Sequence, residues 1–106
     1  MKTIKDVKEM AIELMNTQFT FKTNYTTHQV SAADLGYRFE FGNKKRAFGT
    51  CYYNQKKIQL SLPLCTENLD KVDTRIRNTM LHEIAHALCV YVHGIKGGKG
   101  HGAYWK

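Results

Sequence analysis

The stretch from Ile76 to Val92 holds neither proline nor glycine, and from Met80 onward it is apolar almost all round. Such a segment is expected to fold as a buried central helix. Set into it are His82, Glu83 and His86, in the spacing HExxH. Polar side chains in that setting are costly without a compensating partner. Two histidines four apart stand on one helix face, about 6 Å apart at a rise of ~1.5 Å per residue. Both imidazoles can then reach one zinc ion, and Glu83 can reach a water on it. That arrangement serves the hydrolysis of peptide bonds. The plainer reading is two core histidines and an ion-paired glutamate; the usual role of the pattern favours the metal.

A catalytic zinc commonly keeps three protein ligands and one open position. After Glu83 the chain has no Asp or Glu, so a downstream carboxylate ligand is excluded. The metzincin pattern is missing as well, because Cys89 and Val92 stand where its Gly and His belong. His93 lies about 10 Å along the helix from His86, too far for the same ion. Cys89 and His101 remain. Cys89 is one turn beyond His86, but cysteine is commonly a buried core residue. Gly94 reads as a helix terminator, and the stretch from Gly94 to Gly100 as a mobile loop that presents His101. The ligand set favoured is His82, His86 and His101, with Cys89 as the alternative. The glycine run is not a P-loop, since Gly100 follows Lys99 and the run follows a helix.

HExxH, the gap, and then His101-Gly102-Ala103-Tyr104-Trp105 resemble the SprT-like zinc metalloprotease family, which includes the Spartan-type proteases. Gly49-Thr50-Cys51 followed by Lys57-Ile58-Gln59-Leu60-Ser61 looks like that family's short hairpin before the catalytic helix. The resemblance runs from about Gly36 to Trp105; before that only a helix is shared. HExxH alone is common to many families, whereas HExxH with a distant His-Gly-x-x-Trp is far more specific. The resemblance implies one zinc on His82, His86 and His101, and Glu83 as the catalytic acid and base. It also implies action on proteins attached to DNA. The sequence departs from many relatives by stopping at Lys106, without a Cys-rich ribbon. It reads either as a minimal catalytic core or as a piece of a longer chain.

The 106 residues make one domain, 1–106, with a modest core to which a bound metal would add stability. Sixteen basic against 9 acidic residues give a net charge of +7, which draws the chain to polyanions. Lys44, Lys45 and Arg46 occupy one turn, and Lys96 and Lys99 precede His101. Tyr52, Tyr53 and Trp105 lie near these in sequence. Positive charge among stacking surfaces suits single-stranded DNA. The bland alternative is a solvated lysine-rich turn and core aromatics. Cys51, Cys65 and Cys89 form no CxxC pair and read as reduced thiols. With no signal-like or membrane-spanning run, a cytoplasmic monomer is expected. The Lys/Asn/Thr-rich make-up suits a bacterial or phage source.

Thr3-x-x-Asp6 reads as a helix start, and Ile4, Val7, Met10, Ala11, Leu14 and Met15 recur at helical spacing up to Thr17. Residues 18–35 give no clear pattern, and His28 there reads as a surface residue. Strands are expected at 37–41, 47–53 and 57–62, as a three-stranded antiparallel meander. By resemblance to zincin-type sites, the last of these is a candidate edge for an extended substrate. Pro63 ends it, and Asp73 is the expected N-cap of a catalytic helix running to about His93. The fold class is α+β, zincin-like, with an N-terminal helix, a small sheet and a buried HExxH helix.

These features predict a zinc-dependent endopeptidase in which Glu83 activates a zinc-bound water, and the resemblance implies that it acts on DNA-bound or DNA-crosslinked proteins. The sequence does not identify the group that stabilises the oxyanion; Tyr104 is a candidate. A metal-dependent nuclease is one alternative, though its pattern generally lacks a glutamate after the first histidine. The other is a non-catalytic DNA-binding module with a closed, four-ligand structural zinc.

Overall fold

A computed structural model describes residues 2–22 and 26–99; the side chains of residue 21 and residues 93–99 fall outside that description. The chain begins with α1 (Ile4–Asn16), a hairpin of β1 (Phe19–Lys22) and β2 (Thr27–Val30), and then β3 (Arg38–Gly42), β4 (Gly49–Tyr52) and β5 (Lys57–Ser61). A short α2 (Leu62–Glu67), a 3-10 turn (Leu69–Lys71) and a π turn (Val72–Ile76) lead into α3 (Arg77–Lys99).

The start of α1 is closed by a reciprocal cap. The Thr3 backbone N–H donates to Asp6 Oδ2 at 2.7 Å, and the Asp6 N–H donates to Thr3 Oγ1 at 3.4 Å. These bonds hold the Asp6 carboxyl below the usual range. The predicted apolar stripe is the buried face: Val7, Met10, Ala11, Leu14 and Met15 enter the core. There they join Ile76, Met80, Ile84 and Ala87 of the helical run and Ile58 and Leu60 of β5.

The sheet differs from the expected meander. Its order is β3-β5-β4, with β5 antiparallel to β4 but parallel to β3. Ile58 and Leu60 are fully buried on β5, so the most apolar strand takes the centre. The chain between β3 and β4 crosses to the far side of β5. That crossing is tied down where the Ser61 hydroxyl donates to the Lys44 carbonyl. The edge beside α3 is therefore β4, and the substrate edge expected at 57–62 is an interior strand. Residues 18–35 hold the β1–β2 hairpin, where His28 is half-buried and meets the Tyr91 ring edge-on at 5.9 Å.

The helical run also departs from expectation at both ends. Asp73 is not an N-cap but an exposed residue within the π turn, 3.8 Å from Lys2. Val72 and Ile76 are buried and anchor that extra turn on the core. At the other end, Gly94 lies inside α3, which continues to Lys99 in place of the expected loop. A glycine weakens a helix by only about 1 kcal/mol relative to alanine, and no proline stops this one.

Candidate metal centre

Two stripes run side by side along α3. Met80, Ile84 and Ala87 face the core. The neighbouring stripe carries His82, Glu83 and His86, with Glu83 and His86 each only 8% exposed and His82 half-buried. The four-residue spacing brings the Nε2 atoms of His82 and His86 to 3.2 Å, with the rings 4.8 Å apart and nearly perpendicular. Two nitrogens on one tetrahedral zinc stand roughly 3.3 Å apart, at bond lengths near 2.05 Å. The pair therefore fits that ion. Among the described residues no third His, Cys, Asp or Glu joins them in a group able to hold a metal. Cys89 is thus not brought into a ligand set, and burial raises its thiol pKa. His101, Tyr104 and Trp105 lie outside the described residues.

Strand β4 brings to Glu83 a set of neighbours that sequence reasoning missed. Gly49 sits so near that a β-carbon there would meet Glu83 Cγ at 3.0 Å and Thr79 Cγ2 at 2.8 Å. Two and four residues on, Cys51 and Tyr53 both feel the Glu83 carboxylate. Burial, then the negative charge of Glu83, pushes the Cys51 thiol up to about 12. Burial, then Cys51 and Glu83, does the same to the Tyr53 hydroxyl. Tyr37, behind Cys51, is likewise pushed up to about 12, chiefly by burial. All three groups are therefore protonated near neutrality, and Cys51 and Tyr53 are the two that feel Glu83. The two-residue period of a strand puts Gly49 and Cys51 on one face of β4, and Tyr53 follows in the turn beyond it; the docking of that face on α3 has no sequence signal.

The opposite face of β4 is basic and aromatic. Lys44 and Lys57 lie over the Tyr52 ring at 5.0 and 5.1 Å. Lys44 Nζ also donates to Thr50 Oγ1 at 3.4 Å. Lys57 pairs with Glu40 at 2.9 Å. Lys45 and Arg46 are exposed in the adjoining turn, and Arg75 lies 5.1 Å over Phe48. Lys96 and Lys99 fall on the last turns of α3, with side chains outside the description. No disulfide forms among the described residues. None of their helices is long and apolar enough to cross a membrane.

No curated protein and no solved structure shows a significant match to the chain. The family model for SprT-like proteins matches residues 9–106, reaching back into α1 and beyond the resemblance visible from Gly36 onward. With a match over nearly its whole length, the chain belongs to the SprT-like family, a family of metalloprotease type.

Proposed function

We propose that the chain is a zinc-dependent endopeptidase that cleaves proteins bound or crosslinked to DNA. The observation that carries the reading is the 3.2 Å approach of His82 and His86 Nε2, with Glu83 between them in sequence. His82 and His86 would hold the zinc together with His101. When bound, zinc supplies a Lewis acid that acidifies a water and polarises a carbonyl.

The chain's own groups do the rest. Glu83 takes the proton of the attacking water and returns it to the leaving nitrogen. Gly49 leaves the space in which the Glu83 side chain stands. Tyr53, protonated and within electrostatic reach of Glu83, is a candidate donor for the developing oxyanion. The edge strand β4 offers backbone groups with which an extended substrate can pair.

The DNA part of the reading rests on charge. A net charge of +7 and the Lys44–Tyr52–Lys57 cluster suit a single strand, through phosphate contacts and stacking. The test is cleavage of a protein crosslinked to single-stranded DNA, beside the same protein free of DNA. Cleavage chiefly of the crosslinked form is expected. Equal cleavage of both would remove DNA from the account, and cleavage of the DNA strand itself would replace the protease reading by a nuclease.

A further inference from the structure

Past Glu83, between α3 and the turn that joins β4 to β5, lies a pocket of about 180 Å³. Ala87 and Tyr37, both buried, form its bottom. Leu35, Tyr53 and Val90 form its half-buried walls, and Tyr91, 50% exposed, stands at its mouth. We propose that this pocket receives one large apolar side chain of the protein substrate, two or three residues from the cleaved bond, and so sets cleavage specificity. The inference rests on the endopeptidase reading and adds a substrate preference to it.

Size is the first argument. Small-molecule sites usually occupy about 300–1,000 Å³. This pocket is smaller and has room for a single side chain such as phenylalanine, leucine or methionine. Lining chemistry is the second. Leu35, Ala87 and Val90 are aliphatic, the tyrosines present ring faces and edges, and Asn54 and Lys56 of the β4–β5 turn make one side polar. An apolar side chain gains by leaving water there.

Position is the third argument. On α3, Ala87 lies one turn beyond Glu83, about 6 Å, and Val90 about 10 Å beyond it. On β4, Gly49 abuts Glu83, and the strand leads on towards Tyr53 in the pocket wall. Helix and strand thus advance from the catalytic glutamate to the pocket together. An extended peptide gains ~3.3 Å per residue. A substrate lying along β4 therefore reaches the pocket two or three residues from Glu83.

The test uses two labelled extended peptides that differ only in one central residue, Phe or Ala. Binding is measured by fluorescence anisotropy on full-length Glu83→Gln, so that neither peptide is cut. The Phe peptide should bind at least about tenfold more tightly. Adding Val90→Trp, which fills the pocket, should abolish that difference. Leu35→Ala, which enlarges it, should move the preference toward a Trp peptide, and this second variant serves if Val90→Trp does not fold. Equal affinity for the Phe and Ala peptides overturns the proposal. So does a folded Val90→Trp that still discriminates, or one whose only loss is affinity for oligo-dT, which would mark a nucleobase pocket. Cleavage of a peptide library by wild type separates the two levels. Glu83-dependent cleavage without an apolar preference sinks the pocket and leaves the protease. Phe-selective binding without any cleavage sinks the protease and leaves the pocket.

Discussion

Gly49 lies against Glu83 so closely that a β-carbon would stand 3.0 Å from the glutamate Cγ. The atoms it would meet, Glu83 Cγ and Thr79 Cγ2, are near the α3 backbone and cannot swing away like the end of a long side chain. Gly49→Ala should therefore push β4 off α3 and tilt Glu83. Overpacking of this kind costs about 1–3 kcal/mol. A lower urea midpoint together with a fall in peptidase activity is expected. Thr50→Ala, on the other face of the strand, should leave activity much closer to wild type.

Ile58 is fully buried at the centre of the sheet, in the core that α1 and α3 share. Ile58→Ala removes most of its side chain and leaves a cavity. Urea unfolding should show a loss of about 2–5 kcal/mol. A loss under about 1 kcal/mol would mean that β5 is not the central strand.

Much of this was legible in the sequence. The Thr3–Asp6 cap and the α1 stripe are local, and they appear as read. The three strands of the sheet were also visible, because each carries its own alternation or turn signals. Their order was not, since alternation says which face is buried and nothing about which strand lies alongside. The β1–β2 hairpin was missed because Thr27–Val30 holds a single aliphatic residue, too little alternation to mark a strand. His82, Glu83 and His86 were legible as a spacing on one helix. Cys51 and Tyr53 were not, because their closeness to Glu83 depends on how β4 docks on α3.

Removal of His101 bears on the third ligand. His101→Ala should lower zinc affinity by at least the roughly 10–100-fold that loss of a supporting partner costs. Equilibrium dialysis against a zinc buffer reads this directly. Unchanged zinc content would return Cys89 or an upstream residue to consideration.

The helical path of α3 adds a consequence for metal binding. A rise of ~1.5 Å per residue carries Lys99 about 20 Å past His86. For His101 to join His82 and His86, the chain must leave that helix among Gly94, Gly97 and Gly98. Those glycines favour the helix less than alanine by about 1 kcal/mol each. Structural zinc binding is worth about 10–16 kcal/mol in small peptides. The metal term is the larger, so zinc should unwind the end of α3 and reduce the circular dichroism at 222 nm. Unchanged or increased helicity on zinc loading would speak against His101.

Stability should fall in alkali. Cys51 is raised from 9.0 to about 12, and Tyr37 from 10.0 to about 12. Between pH about 9 and about 12 the unfolded chain releases protons that the folded chain keeps. This contribution is complete below pH 9 and disappears as pH rises through that window. Melting temperatures measured from pH 8 to 11 should decline, and Cys51→Ala with Tyr37→Phe should flatten the decline.

The central claim is that Glu83 does proton work beside a metal held by His82 and His86. Its most direct test is cleavage of a DNA-crosslinked protein by wild type and Glu83→Gln, both loaded with zinc to the same content. The account predicts equal zinc in the two proteins and cleavage by wild type alone. Full cleavage by zinc-loaded Glu83→Gln would contradict it.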